Sequence, residues 1–180
     1  REAADLILLD DNFSTIVDTI KDGRRIYDNI RKAVAYVVAI HIPIAGASLL
    51  APLLGIGTSS LLLLPLHVVL LELVIDPTCS IIFERQPAEP DIMRRPPRPR
   101  ADQLLKPIAL LKSILQGLAI FAAAFALYYA YLNQYPQSPP LARSMGLSVI
   151  FLANLLLIQV NSSEHQLAVK TLRRRWRDKA

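Results

Sequence analysis

From Ala33 to Leu71 this sequence contains no aspartate, glutamate, lysine or arginine, and Ser113 to Ala142 and Ser144 to Ser163 are equally free of charge. Absences of that length exclude an ordinary soluble domain, whose surface helices carry a polar stripe every three or four residues. A helix needs about 20 mainly apolar residues to cross the hydrocarbon core of a bilayer, and each stretch reaches that length. Cysteine is nearly absent as well. Cys79 stands alone, which excludes an internal disulfide, and no zinc-ligand spacing surrounds it. No secretory signal opens the chain, because residues 1–32 are polar and amphipathic. Arg1 stands where a start methionine would, so the sequence reads as a piece of a longer protein.

What charge there is lies in blocks. Of the 20 basic residues, six fall in 1–32, seven in 85–112 and six in 170–179, with Arg143 apart. Basic blocks separated by long apolar stretches are the arrangement of the positive-inside rule, in which lysine and arginine gather on the cytoplasmic side. The net charge of +5 is therefore a topology signal. It is not a nucleic-acid footprint, because no aromatic-interleaved basic surface accompanies it.

Along the chain, the apolar run Leu6–Leu9 reads as strand-like, and Asp10, Asp11 and Asn12 supply turn and cap chemistry. Phe13, Ile16, Val17 and Ile20 follow at helical spacing, and Ile26 and Ile30 extend the stripe past Gly23. The first apolar stretch is too long for one crossing and breaks at the uncharged turn Leu54–Ser60, giving spans over 33–54 and 61–83. The connection 84–106 holds Pro87, Pro90, Pro96, Pro97 and Pro99 and is expected to be extended. A third span over 107–132 ends in Tyr128, Tyr129, Tyr131 and Tyr135, an interfacial aromatic belt. The turn Pro136–Pro140 leads to a fourth span over 142–161, and a basic tail with Trp176 occupies 162–180. The expected fold is an all-α membrane protein: a four-span transmembrane helix bundle with a short cytoplasmic N-terminal segment and both termini cytoplasmic.

Ionisable groups within such spans cost roughly 2.5–3.5 kcal/mol each on insertion scales, so each one asks for a role. Glu72 and Asp76 lie four apart in the second span, on one face of a helix. Two carboxylates there repel unless a cation or proton lies between them, and a hard cation calls for such oxygen ligands. Pro77 removes a backbone donor beside Asp76, so the helix is expected to kink or unwind and free carbonyls there. His41 precedes Pro43 in the first span and is expected to face the bundle; His67 is a weaker candidate. Asn154, Gln159 and Gln116 are of the type that joins helices by hydrogen bonds. Ala45, Gly46, Ala47 and Ser48 permit close helix approach, and Thr78 and Cys79 continue the helix of Asp76, either facing a pore or packed.

Two cytoplasmic segments carry a resemblance. Asp10 to Val17, then Gly23-Arg24 and Ile26 to Ile30, resembles the segment that leaves the phosphorylation domain of P-type cation-transporting ATPases and runs into their fifth membrane helix. Pro90 to Arg98 resembles the loop between that family's sixth and seventh helices. The likeness covers nearly the whole chain and is nearest to the calcium-pump-like branch. It implies that residues 1–32 are the end of the phosphorylation domain and its stalk, and that the four spans are helices five to eight.

Carried over by position, the resemblance places the sixth-helix acidic ligand on Asp76 and an amide position on Glu72, with Ile75 at a threonine position between them. A fifth-helix asparagine position falls on His41, an acidic position on Ile44, and an eighth-helix glutamate position on Asn154. The metal-binding set it implies is therefore Glu72, Asp76, His41 and Asn154. With Ile44 and Asn154 neutral, calcium, magnesium, a monovalent cation and a proton all stay open as cargo. The phosphorylation motif, metal loop, nucleotide domain and fourth-helix ion motif do not occur in this sequence. The segment alone is thus expected to bind neither ATP nor Mg2+, with both serving the longer parent.

The implied partners are membrane lipid, the transported cation, and the parent's phosphorylation, nucleotide-binding and actuator domains and remaining helices; nucleic acid is not among them. The implied place is a multi-pass position in the plasma membrane. The implied activity is alternating access driven by an aspartyl-phosphate. A reading from another class is a self-contained four-helix membrane adaptor or small channel whose polar residues are structural.

Overall fold

The computed structural model describes residues 12–99 and 103–161. The strand-like run Leu6–Leu9, the turn residues Asp10 and Asp11, Arg100 and the basic tail with Trp176 lie outside the described residues. Among those described, four helices are long and apolar enough to cross a membrane. They are α1 (Ser14–Leu53), α2 (Pro65–Glu84), α3 (Pro107–Gln134) and α4 (Pro139–Asn161). A 3-10 turn over Thr58–Ser60 joins the first two, and the fold is an all-α four-span bundle.

The stalk and the first span are one helix. α1 runs 40 residues without a break through Gly23, about 60 Å at 1.5 Å per residue, twice the thickness of a bilayer core. Asn12 opens it by accepting the Ser14 amide at 3.0 Å and the Ser14 hydroxyl at 2.9 Å through Oδ1. Its membrane half buries Tyr36, Ala39, Ile40, Pro43, Ile44, Ala47 and Ala51 at three- and four-residue spacing. Its lower half leaves Phe13, Val17, Ile20, Ile26 and Ile30 exposed.

α1 ends in a Schellman turn, the reason the chain can reverse within a few residues. Gly55 adopts φ +68°, donates its amide to the Pro52 carbonyl, and Ile56 donates to Ala51. This is the pattern that satisfies the last carbonyls of a helix, and a left-handed residue is needed at its pivot. Arg143 of α4 then holds the turn, its Nε and Nη2 each 2.9 Å from the carbonyls of Leu61 and Ser59. Tyr128 donates its hydroxyl to Ser60. Tyr128 is fully buried, so it leaves the expected aromatic belt and serves as an internal tie. Tyr129 and Tyr135 remain exposed.

α3 packs between α1 and α4, and α2 lies against α1. Glycines set the spacing. A Cβ at Gly117 would stand 2.5 Å from the Ala39 carbonyl, and one at Gly146 would stand 3.2 Å from the Ala124 carbonyl. Small residues at such crossings let backbones approach, which is the main source of packing between helices in lipid. α4 begins at Pro139, three residues before the expected boundary, because the prolines suit a first helical turn.

The described part of the proline-rich connection is not helical, but it is not extended throughout: it turns over residues 90–94, where Ile92 donates its amide to Glu89 and Arg94 to Asp91, and it lies along the lower half of α1. Asn29 donates to the Gln86 carbonyl at 3.0 Å. Lys32 pairs with Glu89 at 2.8 Å with both side chains nearly buried. Arg24 donates through Nη1 to the carbonyls of Ile92 and Arg95, each at 2.8 Å. Arg95 in turn bonds Asp91 and Asp28. Its hydrogen bond with Asp91 and the field of both carboxylates hold its guanidinium well above its ordinary range, against burial acting the other way.

Candidate functional site

The buried stripe of α2 is Leu71, Ile75, Cys79 and Phe83, one residue per turn. Glu72 and Asp76 each sit one position past a member of that stripe. They therefore flank the packed seam and lie one above the other on a shared face. Glu72 is partly buried and Asp76 is exposed.

Asp76 makes no hydrogen bond or ion pair among the described residues. Glu72 meets α1, where its Oε1 lies 3.5 Å from Nε2 of His41. The other ring nitrogen of His41, Nδ1, is 2.8 Å from the Val37 carbonyl. A carbonyl only accepts, so that contact assigns the proton to Nδ1.

The described bundle also holds buried polar atoms with no hydrogen-bond partner. Tyr36 is fully buried, and its hydroxyl has no hydrogen-bond partner. Its ring packs on Phe83 at 5.6 Å, and Glu72, Asp76 and Cys79 are its electrostatic neighbours. Asn154 is 4% exposed, and neither its Oδ1 nor its Nδ2 is bonded. Oε1 of Gln116 is likewise buried and unbonded. Each unmet polar group in an apolar setting costs about 1–3 kcal/mol, so such a set is retained against its own stability.

One sequence expectation fails in the backbone. α2 remains helical from Pro65 to Glu84 through Pro77, so the helix does not unwind at Asp76. Helical neighbours hold the segment, and what proline removes is the donor to one carbonyl, that of Leu73. Pro43 likewise leaves the Ala39 carbonyl without a helical donor, yet that oxygen faces Gly117 of α3 and not the carboxylates.

His41 is also exposed on the flank of α1 and reaches the site only through Glu72. His67 is engaged elsewhere, its Nδ1 accepting the Leu64 amide at 3.2 Å as a cap of α2.

The structure thus brings His41 and Glu72 together, with Asp76 one turn away. No hydrogen bond or ion pair joins Asn154 to any of the three. No group of three or more His, Cys, Asp or Glu suited to a metal ion occurs among the described residues. Tyr36 is the member that sequence reasoning passed over. Its signal was a phenol inside a charge-free stretch, away from the ends where interfacial tyrosines gather.

Comparison with known proteins bears on what such a bundle belongs to. Residues 60–177 match the family model described as cation transporting ATPase, C-terminus. A calcium-transporting ATPase of Plasmodium falciparum is 33% identical over 138 residues, covering 77% of this chain and 11% of that protein. A calcium-transporting ATPase of Bacillus subtilis is 30% identical over 156 residues, 87% of this chain and 17% of that protein. A potassium-transporting ATPase alpha chain 1 of Xenopus laevis is 40% identical over 141 residues, 74% of this chain and 13% of that protein. The chain spans less than a fifth of the length of each of these relatives.

Proposed function

This chain belongs to the cation-transporting P-type ATPases, and from that premise we propose that it supplies the ion-holding helices of an ATP-driven pump of the calcium-pump-like branch. The observation that carries the reading is the Glu72–His41 pair between α1 and α2, with Asp76 unpaired one turn along the same helix. Two carboxylates one turn apart on one helix, one of them steadied from a second helix, offer the charged oxygen ligands that a hard cation takes.

In this reading Glu72 and Asp76 bind the cation. His41 steadies the Glu72 carboxylate from α1. Asn154, Tyr36 and Gln116 supply neutral oxygens from the facing helices once the cation draws them in. Calcium takes six to eight oxygens, and the donor set here favours a cation needing fewer charged ligands, or a proton.

The 40-residue α1 couples the site to the pump's cytoplasmic domains. Its exposed lower stripe, Phe13, Val17, Ile20, Ile26 and Ile30, is the surface on which the phosphorylation domain would rest. ATP and Mg2+ act in that part of the parent, the membrane is the plasma membrane, and both ends of this segment face the cytoplasm. Membership of the family disfavours a self-contained adaptor or channel.

The test is an ion screen of ATPase activity on the full-length protein, repeated with Asp76→Asn and Glu72→Gln. Asp76→Asn is expected to abolish ion-dependent phosphoenzyme turnover. Unchanged ion dependence in that variant would remove Asp76 from the site. His41→Phe combined with Glu72→Gln is expected to cost no more than Glu72→Gln alone, because both changes dismantle one pair.

A further inference from the structure

A cavity of about 730 Å3 lies away from the ion site, between the lower half of α1 and the proline-rich connection. Five cations line it, Arg24, Arg31, Arg95, Arg98 and Lys106, against the single carboxylate of Asp28.

That carboxylate is spent. Asp28 Oδ2 is 2.8 Å from Nη1 of Arg95, and Asp91 binds the same guanidinium. Three of the other four cations are held by groups that carry no charge. Arg24 rests on the carbonyls of Ile92 and Arg95, and Arg31 donates Nε to the Leu104 carbonyl at 3.1 Å. Arg98 lies 3.7 Å over the Tyr27 ring. Lys106 is exposed, with no hydrogen bond or ion pair among the described residues. Carbonyls and a ring face orient these groups without neutralising them, so the cavity keeps its positive field.

Position says what the field meets. Lys106 immediately precedes the first helical residue of α3, Pro107, and Arg31 lies two residues before the charge-free stretch from Ala33. These two form the rim of the cavity that lies nearest the apolar parts of α1 and α3. The arginines that shape the cavity are fixed by the connection itself, so this is a built recess and not a scatter of surface charge.

We propose that this recess binds the phosphate headgroup of an anionic membrane lipid, tying the connection and the lower part of α1 to the bilayer surface. Basic pockets at the membrane boundary recognise such headgroups through charge and hydrogen bonding together. The proposal depends on the four-span arrangement and not on which cation is carried.

The test measures binding of short-chain phosphatidylglycerol to the full-length protein in detergent, beside short-chain phosphatidylcholine and inorganic phosphate. Saturable binding of phosphatidylglycerol is expected, with neither of the other two competing. Arg98→Gln and Lys106→Gln should each weaken it about five-fold, the factor for one basic residue near an anionic surface. Arg98→Lys should retain most of the affinity. Arg94→Gln, which removes an exposed charge outside the cavity, should leave binding unchanged, and all variants should keep the parent's melting temperature.

Equal weakening by Arg94→Gln would reduce the effect to diffuse charge and overturn the site. Competition by inorganic phosphate at similar concentration would assign a soluble anion in place of the lipid. No saturable lipid binding, with the same variants instead weakening the hold of a cytoplasmic domain, would make the recess a protein contact.

Discussion

Gly117 of α3 faces the Ala39 carbonyl of α1 so closely that a Cβ at position 117 would stand 2.5 Å from the oxygen. That oxygen is the one whose helical donor Pro43 removes, and the close crossing covers it. Proline in one helix and glycine in its neighbour therefore make one junction. Gly117→Ala is expected to destabilise the bundle by about 1–3 kcal/mol, since backbone cannot yield as a side chain would. Gly57→Ala, where nothing lies within 4 Å, is the control. Thermal unfolding in detergent separates the two, and equal melting temperatures would show that α3 can shift away.

Asn154 distinguishes a helix tie from an ion ligand. Neither end of its amide is bonded although the residue is buried. Replacing an unpaired buried polar group by an apolar one of similar size is close to neutral or stabilising. Asn154→Leu is therefore expected to hold or raise the melting temperature while lowering the affinity for the activating ion. A loss of stability of about 1 kcal/mol or more would make it a tie between helices.

The Lys32–Glu89 pair fixes the connection to α1 with side chains only 4% and 12% exposed. Breaking such a pair leaves one buried charge uncompensated, about 3–5 kcal/mol. Lys32→Met and Glu89→Leu should each be strongly destabilising, and the double substitution should recover much of the loss. A double-mutant cycle on unfolding reads this directly; additive single effects would contradict the pairing.

Arg143 closes the opposite face of the membrane. Its two hydrogen bonds to Leu61 and Ser59 are charge-assisted, each worth about 1.5–3 kcal/mol. Arg143→Gln is expected to raise hydrogen exchange across residues 55–62 while leaving the amides around Asn29 protected. Unchanged exchange at the turn would mean that the Schellman bonds and Tyr128 hold it unaided.

Much of the architecture was legible beforehand because charge is so costly in hydrocarbon. The charge-free stretches located all four spans, and Gly55 and the proline runs marked the turns. Less legible was anything that depends on which face a helix turns to its neighbour. His41 read as a residue facing the bundle, whereas it sits on an exposed flank, bonded to Val37 of its own helix and beside Glu72 of α2. Tyr128 read as part of an interfacial belt but is buried as a tie to Ser60. Pro77 read as a break, yet packing keeps α2 helical around it.

By itself the sequence determined that this chain crosses a membrane four times, because hydropathy and charge act locally along each segment. It also determined which carboxylates must be accounted for, since Glu72 and Asp76 interrupt an apolar run. Tertiary structure alone decided their company. Glu72 gained His41 from another helix, Asp76 gained no partner, and Asn154 was buried with its amide unmet. Contacts between residues far apart in the chain depend on how helices rotate and cross, and glycine-spaced backbone packing sets that geometry.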